Sequence, residues 1–167
     1  MLDAPDGDAP GDGALCPDLL PGDDGLRIIL PSEQTAVRRA LAQLQARLAP
    51  LDLNVEENGT FQIVLAEALN NVVEHAYGDG DPGVFEVEVT QVEAGLSFQI
   101  TDSGAPMPDG EVPLGRLADY SSETSELPEG GFGWFLIRDL THELSYVRDD
   151  DRNVLSFRLA LGGAAAA

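Results

Sequence analysis

Three groups of residues in this chain of 167 have the types and spacing to do chemistry. Glu67, Asn71 and His75 recur at every fourth position in FQIVLAEALNNVVEHAY, Phe61 to Tyr77. On a helix of about 3.6 residues per turn they stack along one edge. A carboxylate, an amide oxygen and an imidazole in a row offer a base and a metal ligand. A solvated helix edge would carry the same residues, and a lone histidine is more often structural. Asp102-Ser103-Gly104-Ala105-Pro106 closes a run that reads as a strand. There a carboxylate can accept a hydrogen bond from an exocyclic amine, and Gly104 lets a flat ring approach the backbone. Read alone, the same D-x-G-x-P is also an ordinary turn. Gly130-Gly131-Phe132-Gly133 opens a helical pattern. Free N–H groups and the helix dipole favour phosphate at such a place, although the glycines could equally form a loose N-cap.

The elements that must position these groups are legible in order. Leu26 to Leu30 is a short strand closed by Pro31, with Ser32 in the N-cap position and Glu33 in the first turn of a helix. From Glu33 to Leu48, Ala36, Val37, Ala40, Leu41, Leu44 and Leu48 follow helical spacing, and Pro50 marks the end. In the central helix, Phe61, Val64, Leu65, Ala68, Val72 and Ala76 face the core, and Gly78 with DGDPG stops it. Val84 to Val92 alternates as a strand with one wet face. Glu93, Ala94 and Gly95 turn the chain into its hairpin partner, Leu96 to Thr101. Ser103 to Glu129 is a long loop with one helical turn around Leu114 to Asp119, and a loop of that length is usually functional or mobile. Gly130 to Leu144 becomes helical, and Ser145 to Val147 and Val154 to Leu161 finish as strands around an Asp149 to Asp151 turn. Strands joined by hairpins predict an α+β fold, a two-layer α/β sandwich with a mixed, mostly antiparallel sheet and helices on one face. A doubly wound parallel sheet would need a helix between most strands, and the sequence does not supply them.

Composition narrows the partners. Thirty acids face nine basic residues, all Arg, for a formal net charge of -21. That balance opposes direct binding to nucleic acid or an anionic membrane and favours a basic protein partner or plain solubility. The single Cys16 excludes an internal disulfide. No apolar run approaches the ~20 residues of a membrane span, and the N-terminus does not read as a signal peptide, so a cytoplasmic protein is expected. Residues 1–25 are rich in Asp, Gly and Pro without one basic residue, which predicts a flexible acidic arm in which Leu15 to Leu20 is the stretch that could dock. Residues 26–161 are expected to form the domain, and residues 162–167 a low-complexity tail.

E-x-x-x-N on a helix, D-x-G-x-P after a hairpin strand and G-x-G entering a helix, in that order, resemble the Bergerat ATP-binding fold of the GHKL histidine-kinase-like ATPase superfamily. The N-x-x-x-H-A run at Asn71 to Ala76 and the glycines running into FLIRDL look most like the anti-sigma-factor serine/threonine protein kinases of the RsbW type. The resemblance covers roughly Leu26 to Leu161. It implies ATP and Mg²⁺ as cofactors, with Asn71 as the Mg²⁺ ligand and Glu67 as the catalytic base. It implies further that Asp102 reads adenine, that Gly104 lies beneath the ring with Pro106 completing the motif, and that Gly131 and Gly133 meet phosphate through their backbone. The implied substrate is a Ser or Thr of an anti-anti-sigma (STAS-type) partner, with sequestration of a sigma factor and a homodimer also in the family's repertoire. Arg116 and Arg138 are the nearby candidates for a cation at the phosphates, since the chain has no Lys, and Arg138 reads equally well as a surface residue of the last helix. Trp134 and Phe135 are expected to pack as core or subunit contact, and the loop from Ser103, with SSETSE at Ser121 to Glu126, to act as an ATP lid. Asn70 has no role in this scheme, and His75 none beyond helix packing or a hydrogen bond behind the site. The leading expectation is therefore a regulatory protein kinase. The alternative is a nucleotide-responsive partner-binding module with little or no kinase activity. An isolated histidine-kinase catalytic domain is a third reading, disfavoured because His142, the only other His, is expected late in the last helix.

Overall fold

The alternation of apolar and charged residues in VFEVEVTQV dictates a strand with one wet and one buried face, and the computed structural model shows that strand with those bounds. The structure describes residues 25–78, 83–115 and 132–162. Their elements run β1 (Leu26–Pro31), α1 (Gln34–Leu48), α2 (Val55–His75), β2 (Val84–Val92), β3 (Gly95–Asp102), α3 (Phe132–Leu140), β4 (His142–Asp149) and β5 (Arg152–Ala160). Short 3₁₀ turns occupy Ala49–Leu51 and Pro108–Gly110. The helical turn expected from Leu114 to Asp119 falls mostly outside the described residues, as do residues 1–24 of the acidic arm and the SSETSE segment.

The five strands lie in the order β1-β2-β3-β5-β4, and every described pair is antiparallel. Because side chains alternate across a strand, the inner face carries Ile28, Phe85, Val87, Phe98, Ile100 and Phe157, all buried. The helices cover that face. The ring centroids of Phe98 lie 5.2 Å from Phe157 and 6.0 Å from Phe61 of α2, which joins sheet to helix at the centre of the core. Truncating a ring so enclosed would cost roughly 3–5 kcal/mol. The α+β sandwich with helices on one face is thus the observed architecture.

Several boundaries differ from the sequence reading, three of them at helix ends. α1 begins one residue later, with Glu33 rather than Ser32 as N-cap, and Glu33 makes no capping bond. α2 begins at Val55, six residues before the apolar pattern does. A capping box fixes that start: Asn54 Oδ1 accepts from Glu57 N at 2.9 Å, and Glu57 Oε2 accepts from Asn54 N at 2.8 Å. The last helix ends at Leu140, so His142 opens β4 instead of lying late in α3. Thr141 Oγ1 donates to Ile137 O at 2.6 Å as the helix stops. No helix among the described residues is long and apolar enough to cross a membrane.

Candidate functional site

α2 delivers Glu67, Asn71 and His75 along one flank, as their spacing requires, into three different environments. Asn71 is half-buried, and its Nδ2 donates to the backbone oxygen of Glu67 at 2.8 Å. That bond uses one of the amide's two N–H donors and orients the group, and Oδ1 accepts no hydrogen bond among the described residues and is available to another group. Glu67 is half-buried against α3, where a Cβ on Gly133 would fall on its carboxylate. The glycine therefore makes room for the carboxylate. His75 is exposed, with Nε2 3.8 Å from Glu74 Oε2, so it stands at a rim and is not the packed scaffold residue expected from the sequence.

Beside this flank lies a cavity of about 390 Å³. Its apolar wall includes Val72, Ile100, Pro106, Met107 and Trp134, and its polar groups are Asn71, His75, Asp102, Tyr146 and Asn153. An apolar cleft of that size with a few convergent polar atoms suits a small organic ligand. Trp134 is buried in the core, as expected, and also lines the cavity. Phe135 is half-buried and stacks on Phe132, centroids 6.2 Å apart.

Asp102 ends β3 with only 8% of its surface exposed. Its Oδ1 accepts from Gly104 N at 2.9 Å and from Asn153 Nδ2 at 2.8 Å. Oδ2 receives no donor among the described residues, and Asp102 lines the cavity, so that oxygen is the acceptor the site offers a ligand. A buried carboxylate with an unfilled lone pair is costly unless a ligand donor completes it.

The neighbours of Asp102 supply what sequence reading missed. Asn153, 4% exposed, pairs across the sheet with Asp102 and is the hub of a network. Its Nδ2 donates also to Ala105 O at 2.9 Å and Gly104 O at 3.3 Å. Its Oδ1 accepts from Tyr146 Oη at 2.6 Å and Arg148 Nη1 at 2.7 Å. Tyr146 Oη in turn accepts from Met107 N at 3.1 Å, and Arg148 Nη1 donates to Gly104 O at 3.1 Å. The turn after β3 is thus held by the β4–β5 hairpin. Only the strand register could have singled out Asn153, because it lies in no motif.

Gly104 is under a constraint that the sequence did not show. It does not line the cavity, and a Cβ there would strike the carbonyl of Ala76 at the end of α2. Ala105 N donates to that same carbonyl at 2.6 Å, so Gly104 allows the turn to close on the helix. Arg138 is likewise engaged: Nε donates to Pro113 O at 2.8 Å and Nη2 to Val112 O at 2.6 Å. It pins the segment that contributes Pro113 to the cavity wall instead of offering a cation to phosphate. Gly131 and Arg116 lie outside the described residues.

The donor set fits a magnesium nucleotide. Asn71 Oδ1 is a single hard oxygen, which suffices for a cation that keeps most of its waters and binds chiefly through phosphates. Among the described residues no group of three or more His, Cys, Asp or Glu could hold a metal as a cage. Asp102 Oδ2 suits an exocyclic amine, and the apolar wall suits a ring.

The family profile of the histidine kinase-like ATPase domain matches residues 30–159, and the chain belongs to that family. Within it, the chain is 35% identical over 100 residues to the serine/threonine-protein kinase BtrW of Bordetella bronchiseptica, spanning 58% of this chain and 66% of that one. It is 27% identical over 123 residues to the serine-protein kinase RsbW of Oceanobacillus iheyensis, covering 72% of this chain and 77% of the relative. The RsbU and RsbW domains of a Mycobacterium tuberculosis protein superpose with a TM-score of 0.54 at 17% identity, over 81% of this chain and 32% of that one, a likeness of fold. The resemblance to RsbW-type kinases read from the motifs is borne out by these relatives.

Proposed function

We propose that this chain is an ATP- and Mg²⁺-dependent protein serine/threonine kinase of the anti-sigma-factor type, acting on a Ser or Thr of a STAS-type anti-anti-sigma protein and able to sequester a sigma factor. The observation that carries the reading is the convergence of the caged Asp102 and the oriented Asn71 amide on one cavity, with Glu67 one turn away on the same helix. The names of the relatives support the choice of protein kinase within the family.

In this scheme Asp102 Oδ2 accepts the exocyclic N–H of adenine. Guanine presents a carbonyl at the equivalent position and would leave two acceptors facing each other, so the site discriminates by an unpaired polar group. Val72, Ile100 and Met107 enclose the base. Asn71, whose amide is oriented by the Nδ2 bond to Glu67 O, would hold Mg²⁺ through Oδ1, and the ion's charge would offset that of the phosphates. Glu67 accepts the proton of the partner's hydroxyl as that oxygen bonds to the γ-phosphorus and ADP departs. Gly133 keeps the carboxylate where the helix places it. Each residue positions or neutralises, in keeping with phosphoryl transfer having little need of covalent catalysis.

Titration calorimetry tests the nucleotide half of the proposal. Mg·ATP is expected to bind well below millimolar concentration and Mg·GTP much more weakly. Asp102→Asn should weaken ATP by about 10- to 100-fold, the worth of one charged hydrogen bond in a buried site. Absence of saturable ATP binding at near-millimolar nucleotide would sink the proposal.

A further inference from the structure

The exit of α2 is fastened to both strands at the Asp102 end of the cavity. Three successive amides follow Asp102, and each has a partner: Ser103 N donates to Tyr77 Oη at 2.9 Å, Gly104 N to Asp102 Oδ1 at 2.9 Å and Ala105 N to Ala76 O at 2.6 Å. Two of the three lead back to the residues that end α2. The Tyr77 hydroxyl also donates to Val84 O at 2.7 Å, one residue before Phe85, the cross-strand partner of Asp102. One oxygen therefore joins the end of α2, the first residue of β2 and the turn that leaves β3. The Tyr77 ring is half-buried against the core, and a Cβ on Gly83 would fall on it, so the bare glycine gives the ring its seat.

These bonds tie the two walls of the cavity together, since Asn71 and Ala76 line it from α2 and Asp102 and Ala105 line it from the end of β3. Tyr77 itself does not line it. The bond from Ala105 N to Ala76 O is a single attachment, about which the helix end could turn. The Tyr77 hydroxyl adds two more, at Ser103 and Val84, and a body held at three points does not turn about one. Asn71 lies six residues before Tyr77, about 9 Å along the helix, so a rotation of only about 6° at the exit would displace its amide by about 1 Å. Displacements of that size are enough to spoil a geometry that must engage one ligand at two places.

We propose that Tyr77 is a positioning residue whose hydroxyl sets the spacing between Asn71 Oδ1 and Asp102 Oδ2. That both oxygens act on one molecule rests on the nucleotide reading above. Adenosine, which would engage Asp102 alone, is indifferent to that spacing. Mg·ATP, which would reach both oxygens, depends on it, because its two ends bind together only when the walls are already set at the right distance.

Tyr77→Phe keeps the ring on Gly83 and removes the hydroxyl. In the free protein the Ser103 amide should then exchange with solvent deuterium at least about fivefold faster. Mg·ATP should bind about 5- to 20-fold more weakly in calorimetry, while adenosine, followed by chemical-shift titration, stays within about twofold. Arg27→Ala is the control for a merely structural effect: it breaks a pair on the far face of the sheet, away from these bonds, and its ratio of Mg·ATP to adenosine affinity should remain that of the wild type. Equal weakening of the two ligands by Tyr77→Phe, unchanged Mg·ATP affinity, or unchanged exchange at Ser103 overturns the proposal while the nucleotide site stands. A wild type that binds neither compound removes the nucleotide reading, and this inference with it.

Discussion

Replacing Asn153 with Ala removes the hub that holds the ligand-facing carboxylate. The amide makes five hydrogen bonds at 2.6 to 3.3 Å, and the residue is 4% exposed, so water cannot readily replace them. Truncation leaves Asp102 Oδ1 with the Gly104 amide alone and frees Tyr146 Oη and Arg148 Nη1 from their common acceptor. A neutral buried bond contributes about 1 kcal/mol net and a charged one about 1.5–3 kcal/mol, and bonds sharing one side chain do not add fully. The expected loss is about 2–4 kcal/mol. In urea that lowers the unfolding midpoint by roughly 1–2 M at unchanged slope. Asn153→Asp should be worse, because it sets a second carboxylate beside Asp102 where a 2.8 Å donor stood. Both variants should also lose nucleotide affinity in calorimetry, since Asp102 is no longer held. An Asn153→Ala protein within about 0.5 kcal/mol of wild type, binding ATP normally, would refute the network's part in building the site.

Gly133→Ala places a methyl on the Glu67 carboxylate, a flexible group that can swing aside. Unfolding stability should hold or rise by up to about 1 kcal/mol from helix propensity, while phosphoryl transfer falls at least about tenfold with ATP affinity little changed. Gly104→Ala meets a backbone carbonyl instead, that of Ala76, so it should destabilise by about 1–3 kcal/mol and weaken nucleotide binding, read by denaturant melts and calorimetry. On the outer face of the sheet, the Arg27 guanidinium donates to both oxygens of Glu86 at 2.6 Å and holds its carboxyl below the usual range. A carboxyl depressed in the folded state contributes stability above its unfolded pKa and loses it as pH falls through the folded one. Thermal melts should therefore show the gap between wild type and Arg27→Ala narrowing as pH drops from about 7 to below the carboxylate range.

Periodicity made most of the fold readable, and its failures are informative. β2 was legible to the residue because one face is wet and the other enclosed, so alternation is unambiguous. The first six residues of α2, Val55 to Thr60, carry no apolar stripe, and the helix is started there by the Asn54–Glu57 capping box, a signal present in the sequence but overlooked. β4 was read too short, and His142 misplaced in a helix, because His142–Asp149 is mostly exposed and lacks a clear apolar face. The motif residues Glu67, Asn71 and Asp102 stood out because their chemistry is local to one element. Asn153 did not, since its importance comes from lying opposite Asp102 across two strands, which only register reveals. The packing of Gly104 on Ala76 was not legible either, because that close approach is a tertiary fact.

The central claim is tested most directly by transfer of labelled γ-phosphate from Mg·ATP to a purified anti-anti-sigma partner, run beside nucleotide binding on the wild type and Glu67→Gln. Glu67→Gln keeps the shape of the side chain against Gly133 but removes its capacity to take a proton. Labelling of a partner Ser or Thr by the wild type, reduced at least about 100-fold in the variant with ATP affinity retained, is the predicted result. Labelling that persists in Glu67→Gln, or a wild type that binds ATP and transfers nothing, would contradict it.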